Sequence, residues 1–249
     1  MIPKKYNSSC TLYFSYGIMQ SLDKKCIFMS IPSCYPSKKP KAVFFDWDNT
    51  LINTCPIAFH GVNAVMQHFG KKQFSWEEYM QLASLSDRSF FQTCFQDEEI
   101  PRAAALLQKV MSEPNSSHIF SGVQSLLTLL QKEKIPSGVV SNRNGDMLRE
   151  EAKSLELSSY FQCLVGSCDT SKDKPDPLPL LYALEKVHLT PGHDIWFVGD
   201  SLADVLCAYQ AGCVPVLIGA REKVPCPVIS VRDCAHIEEI LKSFLHSGA

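Results

Sequence analysis

Hydrophobic and polar positions follow two alternating patterns over most of the chain. Short apolar runs predict buried strands of a parallel sheet; they cover residues 42–46, 138–141, 163–166, 195–199 and 214–218. Between these runs, apolar residues spaced three and four apart predict helices. Strands that alternate with helices predict an α/β fold, in which helices cover both faces of a parallel sheet. Because proline lacks an N–H for the ladder, Pro215 indicates that the strand at 214–218 lies at the sheet edge.

The stretch between the first two predicted strands carries only helical patterns. Val62 and Val65 lie on one helix face, and Gly70 is typical of the end of that helix. Ser75 and Glu78 have the spacing of a capping box, which predicts the start of another helix. No convincing strand pattern occurs before about residue 118, so we expect an all-α insertion directly after the first strand.

The predicted elements divide the chain into three parts. Residues 41–56 and 119–249 are expected to form the α/β core, and residues 57–118 an inserted all-α domain, called the cap below. Residues 1–40 carry six Lys and one Asp without any periodic pattern, and we expect a disordered extension there. A targeting segment, or a true start further along the chain, is the alternative for this extension.

Composition narrows the class of protein. With 249 residues, 45% of them apolar, the chain can bury one sizeable core, and no apolar run reaches the ~18–20 residues that span a membrane. A formal net charge of −2 gives no indication of nucleic-acid binding. The eleven Cys show no Cys-x-x-Cys spacing, which favours reduced thiols in a cytoplasmic protein over a disulfide framework.

Four polar clusters lie at predicted strand ends or in the adjoining loops. Ligands of such sheets bind beyond the carboxyl ends of the strands, so we expect these clusters to share one site. The clusters are Asp46-Trp47-Asp48-Asn49-Thr50, Ser141-Asn142, Lys174-Pro175-Asp176-Pro177, and Gly199-Asp200 through Asp204.

The combined residue types indicate metal-assisted phosphoryl transfer. Clustered carboxylates repel one another unless a cation neutralises them, and oxygen ligands suit Mg²⁺. A dianionic phosphate ester can be attacked by a carboxylate only when Mg²⁺, an ammonium group and main-chain N–H groups screen the repulsion. Each residue alone could be a turn, a helix cap or a surface charge; the interpretation depends on all four clusters occurring together.

The clusters resemble, in the same order, the four motifs of the haloacid dehalogenase superfamily of aspartate-nucleophile phosphatases. Asp46 through Leu51 resembles the first motif, Ser141 the second, Lys174 the third, and Gly199 through Asp204 the fourth. Asn49 stands where the family usually has Gly, and Asn can adopt the same left-handed conformation. The resemblance covers roughly residues 41–220 and implies a Rossmann-like core.

The resemblance also implies roles for the motif residues. Asp46 would be the nucleophile and a Mg²⁺ ligand. Asp48 would be the general acid/base and would offer the metal its main-chain carbonyl oxygen. Ser141 and the main-chain N–H of Asn142 would hold the phosphate, and Lys174 would neutralise its charge.

The remaining implied site residues come from the fourth motif and the cap. Asp200 would bind Mg²⁺, supported by Asp204 from the next helical turn. Dehalogenase members of the family lack the second aspartate, so Asp48 indicates phosphate chemistry. In the cap, Arg88 lies where relatives place substrate-contacting residues; a solvated surface charge is the alternative.

We therefore expect a Mg²⁺-dependent phosphatase that acts on a small phosphorylated metabolite. The cap and the Lys-Pro-Asp-Pro motif most resemble those of phosphoglycolate phosphatases and neighbouring sugar phosphatases, and phosphoglycolate is the first substrate that we expect. A phosphoglucomutase-like phosphotransferase of the same fold and a non-catalytic regulatory binding module are the alternatives. Sequence leaves the substrate open, and the oligomeric state could be monomer or dimer.

Overall fold

The computed structural model describes residues 38–82, 85–111, 118–219 and 224–246. The extension expected to be disordered, residues 1–40, lies outside the described residues except for its last three. Of these three, Lys39 pairs with Glu133 at 3.5 Å and Pro40 is buried. The chain therefore already contacts the core just before the first strand.

The predicted strands and helices occur in the predicted order, and three short strands that the sequence did not predict are added to them. The strands are β1 (Ala42–Phe45), β2 (Ile52–Asn53), β3 (His118–Ile119), β4 (Ser137–Asn144), β5 (Leu164–Ser167), β6 (Ile195–Gly199), β7 (Val214–Ile218) and β8 (Ile229–Val231). The helices are α1 (Cys55–His68), α2 (Trp76–Leu82), α3 (Asp87–Cys94), α4 (Ile100–Met111), α5 (Val123–Lys132), α6 (Gly145–Ser154), α7 (Leu178–Lys186), α8 (Leu202–Gln210) and α9 (Cys234–His246). Among the described helices, none combines the length and the apolar character that crossing a membrane requires.

Six strands form one parallel sheet in the order β5-β4-β1-β6-β7-β8. Strand β1 lies near the centre, where Phe45 is the register partner of Val139 on one side and Val198 on the other. Because the strands are parallel, their carboxyl ends meet at one edge. The α/β fold predicted from the sequence, a Rossmann-like parallel sheet with helices, is confirmed.

The predicted edge position of the strand at 214–218 is wrong. Strand β7 pairs with β6 on one side and with the short strand β8 on the other, so β8 forms the edge. Pairing with β8 begins only at Val216, opposite Ile229. Pro215 precedes that ladder, and its missing N–H therefore does not interrupt the pairing with β8.

Side chains along β1 alternate in direction, so apolar residues point to both faces of the sheet. Helices cover each face. Val43 and Phe45 belong to a buried cluster that includes residues of α5, α6 and α9. Ala42 and Phe44 belong to a second buried cluster, which includes residues of α7 and α8. The four β1 side chains are almost completely buried, which fixes the strand that carries the first polar cluster.

The helices α1 to α4 surround a separate hydrophobic cluster. Val65, Phe90, Phe91 and Leu107 are among its buried members. The predicted capping box at the start of α2 is present, with Ser75 and Glu78 exchanging hydrogen bonds of 2.8 and 3.1 Å. These helices form the segment in which the sequence predicted the cap.

Two short antiparallel strands, one before and one after these helices in the chain, pair with each other. Ile52 in β2 is the register partner of Ile119 in β3, and Asn53 is the partner of His118. The chain therefore leaves the core and returns to it through neighbouring residues.

Candidate active site

The polar clusters meet at the carboxyl edge of the sheet. Asp46 follows β1 directly and Asp200 follows β6 directly, and these two strands are neighbours. Asp46, Asp200 and Asp204 each offer a carboxylate oxygen, and these three oxygens lie within 4.8 Å of one another. Thr50 connects two of the carboxylates, since its hydroxyl lies 3.3 Å from Asp46 Oδ2 and 3.5 Å from Asp200 Oδ1.

Lys174 lies at the centre of this carboxylate group. Its side chain is buried, and its Nζ donates to Asp46 Oδ1 over 2.6 Å, Asp204 Oδ1 over 2.7 Å and the carbonyl oxygen of Val140 over 2.9 Å. Burial lowers the pKa of the Lys174 ammonium, but the carboxylates of Asp204 and Asp46 outweigh burial and hold that pKa above its ordinary value. Lys174 is therefore a fixed positive charge beside Asp46.

The carboxylates carry more negative charge than Lys174 compensates. Burial raises the pKa of Asp46 well above its ordinary value, and the nearby carboxylates of Asp204 and Asp200 raise it further. Asp200 is exposed to solvent, but the protein around its carboxylate still displaces water; this desolvation and the charge of Asp204 raise the pKa of Asp200 to about 7. A bound cation would relieve this repulsion.

The donor set fits a small divalent cation. All three carboxylates offer hard oxygen ligands; that of Asp200 is exposed, whereas those of Asp46 and Asp204 are buried and both bond to Lys174. Mg²⁺ is typically held by one or two carboxylates together with water and a substrate phosphate. The arrangement of these carboxylates is therefore chemically suited to Mg²⁺.

The turn after β1 sets the direction of the first cluster. Asn49 has a φ of +58°. This is the left-handed conformation predicted for this position, which Asn can adopt in place of Gly. Its side-chain Oδ1 also accepts a hydrogen bond of 3.2 Å from the main-chain N–H of Cys55 at the start of α1. An asparagine at this position thus supports the turn and caps the helix that follows it.

Asn142 holds the loop that carries Lys174. Its Oδ1 accepts from the main-chain N–H of Lys174 over 2.9 Å, and its Nδ2 donates to the carbonyl oxygen of Lys174 over 3.0 Å. The neighbouring Ser141 is buried, with its hydroxyl 3.5 Å from Asp48 Oδ2. The second and third clusters are thus joined by direct hydrogen bonds.

Asp204 is positioned by the start of α8. It forms a capping box with Ser201, whose hydroxyl and main-chain N–H both donate to Asp204 Oδ2. Gly199 leaves the space for this arrangement, since a Cβ atom at position 199 would lie 2.3 Å from the Cβ of Asp204. The fourth cluster therefore requires glycine at the end of β6.

Sequence reasoning missed Arg143, which contacts Asp48 directly. Arg143 is buried in β4, and its Nε and Nη2 donate to the two carboxylate oxygens of Asp48. Its Nη1 donates to Glu151 Oε2 over 2.6 Å, and the indole N–H of Trp47 donates to the same oxygen over 2.6 Å. The one sequence signal for this contact was the charge of Arg143 directly after Ser141-Asn142. A charge that is buried there needs a partner of opposite charge.

Arg88 contacts the core through main-chain oxygens. Its guanidinium donates to the carbonyl oxygens of Thr170 and Ser171, each over 2.8 Å, and lies 3.6 Å from Asp173 Oδ1. The Ser86 hydroxyl donates to Asp173 Oδ2 over 2.6 Å. Substrate binding by Arg88 stays a prediction, while its described contacts join the cap to the core.

The sheet order and the acidic centre at its carboxyl edge place the molecule among the α/β enzymes. Residues 43–218, more than half of the chain, match the family described as Haloacid dehalogenase-like hydrolase. The chain belongs to this family.

Individual relatives agree with this assignment. A phosphoglycolate phosphatase from Chromobacterium violaceum is 28% identical over 192 residues, which cover 73% of this chain and 86% of the relative. The crystal structure of a haloacid dehalogenase-superfamily hydrolase from Ehrlichia chaffeensis is 28% identical, with a TM-score of 0.60 over 84% of this chain and 98% of that one. A predicted phosphoglycolate phosphatase from Haemophilus somnus has the same fold, with 22% identity and a TM-score of 0.72 over 82% of this chain and 99% of that one.

Proposed function

We propose that this protein is a Mg²⁺-dependent phosphatase that hydrolyses a small phosphorylated metabolite through an aspartyl-phosphate on Asp46. The hydrolase class follows from the family, and the curated relatives include phosphoglycolate phosphatases and putative pyrophosphatases. One observation carries the proposal: the buried ammonium of Lys174 bonds to both Asp46 and Asp204, beside the exposed carboxylate of Asp200. This geometry suits the attack of a carboxylate on a phosphate dianion, whose charge must be screened.

The proposed reaction has two steps. In the first, an Asp46 carboxylate oxygen attacks phosphorus, the bond to the leaving oxygen breaks, and that oxygen takes a proton from Asp48. In the second, Asp48 accepts a proton from water, which attacks the phosphorus of the aspartyl-phosphate and releases inorganic phosphate from Asp46. Lys174 neutralises phosphate charge throughout, and the Ser141 hydroxyl with the Asn142 main-chain N–H orients the phosphate.

The metal would be held by Asp46, Asp200 and the main-chain carbonyl of Asp48, with Asp204 in support. When bound, Mg²⁺ would supply positive charge at the phosphate oxygens. The crowding of the described carboxylates supports this assignment, because Lys174 alone leaves the group negative.

The choice of substrate rests on the relatives. Relatives that share 25–29% identity with this chain carry the name phosphoglycolate phosphatase, so 2-phosphoglycolate is the first compound to test. Other small phosphate esters, including sugar phosphates, complete the panel.

A phosphate-release assay over this panel tests the proposal. We expect turnover with Mg²⁺, loss of turnover after chelation, and recovery when Mg²⁺ is returned. Asp46→Asn should be inactive, whereas Asp97→Asn, which changes an exposed carboxylate in the cap, should keep wild-type activity. Full turnover after exhaustive chelation would exclude the mechanism. Conversion of β-glucose 1-phosphate to glucose 6-phosphate without phosphate release would show a phosphotransferase. Inertness on every ester and on pyrophosphate, which the relatives named putative pyrophosphatase make a necessary member of the panel, would favour a binding module.

A further inference from the structure

Arg143 combines deep burial with a full set of charged partners. Its side chain is only 7% exposed, although a buried guanidinium is stable only when its charge is paired. Its Nε donates to Asp48 Oδ2 over 3.1 Å, and its Nη2 donates to Asp48 Oδ1. Both oxygens of the Asp48 carboxylate are therefore held by one rigid, planar group.

The far side of the guanidinium is fixed as well. Arg143 Nη1 bonds to Glu151 in α6, which also accepts the indole N–H of the fully buried Trp47. Trp47 lies between Asp46 and Asp48 in the chain, so both ends of this network return to the segment that carries the two aspartates. Rotation of Asp48 would break two bonds to Arg143, and movement of Arg143 would break its bond to Glu151.

The main chain of Arg143 completes the link to the phosphate site. Its N–H donates to the Ser141 hydroxyl oxygen over 3.1 Å, and that hydroxyl faces Asp48 Oδ2 at 3.5 Å. A two-point guanidinium–carboxylate pair fixes the plane of the carboxylate, which a lysine ammonium cannot do.

We infer that Arg143 is the positioning residue for Asp48, and that Glu151 in turn holds Arg143. This inference rests on the proposed phosphatase mechanism. Arg143 does not contact the reacting atoms; it sets the direction in which Asp48 gives and accepts its proton. Loss of the two-point contact should therefore impair the steps that need Asp48 and spare the attack by Asp46.

The test is pre-steady-state kinetics of Arg143→Lys with two substrates. With p-nitrophenyl phosphate the leaving group needs no protonation, so a burst near one equivalent should persist while steady turnover falls about 10- to 100-fold. With 2-phosphoglycolate the leaving oxygen needs the proton, so phosphorylation should slow by a similar factor and no burst should appear. Arg149→Lys is the matched control, because Arg149 pairs with Asp169 at 2.8 Å, away from Asp48, and should keep wild-type kinetics.

A second variant guards against misfolding of the first. Glu151→Gln keeps the pair of Arg143 with Asp48 but removes the charge behind it, and we expect a burst with turnover reduced about 3- to 10-fold. Wild-type kinetics in both variants, or equal losses of burst and turnover with both substrates, would overturn the positioning role while the wild-type enzyme stays active. A wild-type protein that hydrolyses neither substrate would overturn the proposed function and this inference together.

Discussion

The carboxylate of Asp87 accepts a hydrogen bond of 2.8 Å from the main-chain N–H of Asn144, which joins helix α3 to the end of strand β4. Ser86 and Arg88, on either side of Asp87, bond to the loop that precedes Lys174. Three consecutive cap residues therefore hold the two core segments that carry Arg143 and Lys174. The position of the cap and the geometry of the proposed phosphate site are thus linked.

Replacement of Arg88 separates two roles. If Arg88 bound the remote end of the substrate, as the sequence indicated, Arg88→Ala would reduce kcat/KM for 2-phosphoglycolate and leave p-nitrophenyl phosphate unaffected. Its bonds to Thr170 and Ser171 instead favour a similar fall for both, about 10-fold, since hydrogen bonds from charged donors contribute about 1.5–3 kcal/mol.

The matched control for Arg88 is Arg102→Ala. Arg102 is exposed in α4 and lies over the ring of Phe69, so its removal should change kcat/KM less than about twofold. A selective loss with 2-phosphoglycolate in Arg88→Ala would assign Arg88 to substrate binding.

Asp87 gives a prediction for the pH dependence of stability. Burial raises the pKa of Asp87 above its ordinary value, despite the opposing N–H of Asn144. Since the folded pKa exceeds the unfolded one, ionised Asp87 lowers stability above its folded pKa, by about 1.4 kcal/mol for each unit of difference. Asp87→Asn, whose side-chain oxygen still accepts from Asn144, should stabilise the fold near neutral pH.

Urea denaturation at several pH values measures this effect. The advantage of Asp87→Asn should shrink as pH falls through the folded pKa and vanish below about pH 4, where the unfolded carboxyl is also protonated. Asp97→Asn, at an exposed site, should show no such trend. A stabilisation that is independent of pH would contradict the assignment to ionisation.

Asparagine substitutions at Asp46 and Asp48 should impair different steps of the reaction. Asp48→Asn should give a burst of nitrophenol near one equivalent from p-nitrophenyl phosphate, then turnover slower by about 10²- to 10⁴-fold, because water activation is lost. Asp46→Asn should give no burst, since it removes the nucleophile. Steady turnover near wild type in Asp48→Asn, without a burst, would show that Asp48 is not the acid/base. Stopped-flow absorbance distinguishes these outcomes.

Gly199→Ala tests the packing behind the carboxylates. The added methyl would meet Asp204 Cβ at 2.3 Å, so Asp204 must shift from the position in which it bonds to Lys174. We expect a loss of about 1–3 kcal/mol in unfolding free energy and a clear fall in kcat. Gly192→Ala is the control, because its nearest contact is the exposed side chain of Asp194 at 2.9 Å, which can rotate. Equal melting temperatures for the two variants would contradict this reasoning.

The acidic centre could be predicted because a general rule of topology locates it. Asp46 and Asp200 are distant in sequence, yet each follows a buried parallel strand, and such strands end at a common edge. The turn conformation of Asn49 could be predicted as well, since few residues tolerate a positive φ.

Other features depend on contacts that no local pattern encodes. Asp48, which Arg143 holds at two points, is 95 residues away in the chain. The predicted strand ended at Ser141, whereas β4 continues to Asn144. Strand β8 has only three residues, with Ser230 exposed between two buried neighbours, too short for a periodic signal. Because β8 could not be predicted, the sequence wrongly placed β7 at the edge of the sheet.

The pairing of Ile52 with Ile119 has a consequence for how such enzymes can change. These two paired strands hold the ends of the insertion about 5 Å apart. The chain between them is therefore a closed loop, whatever its length. The entropy of closing a loop grows only slowly with its length, so segments of different size could be exchanged between these residues at little cost in chain entropy. An exchanged segment would still have to replace the hydrogen bonds that Ser86, Asp87 and Arg88 make with the core.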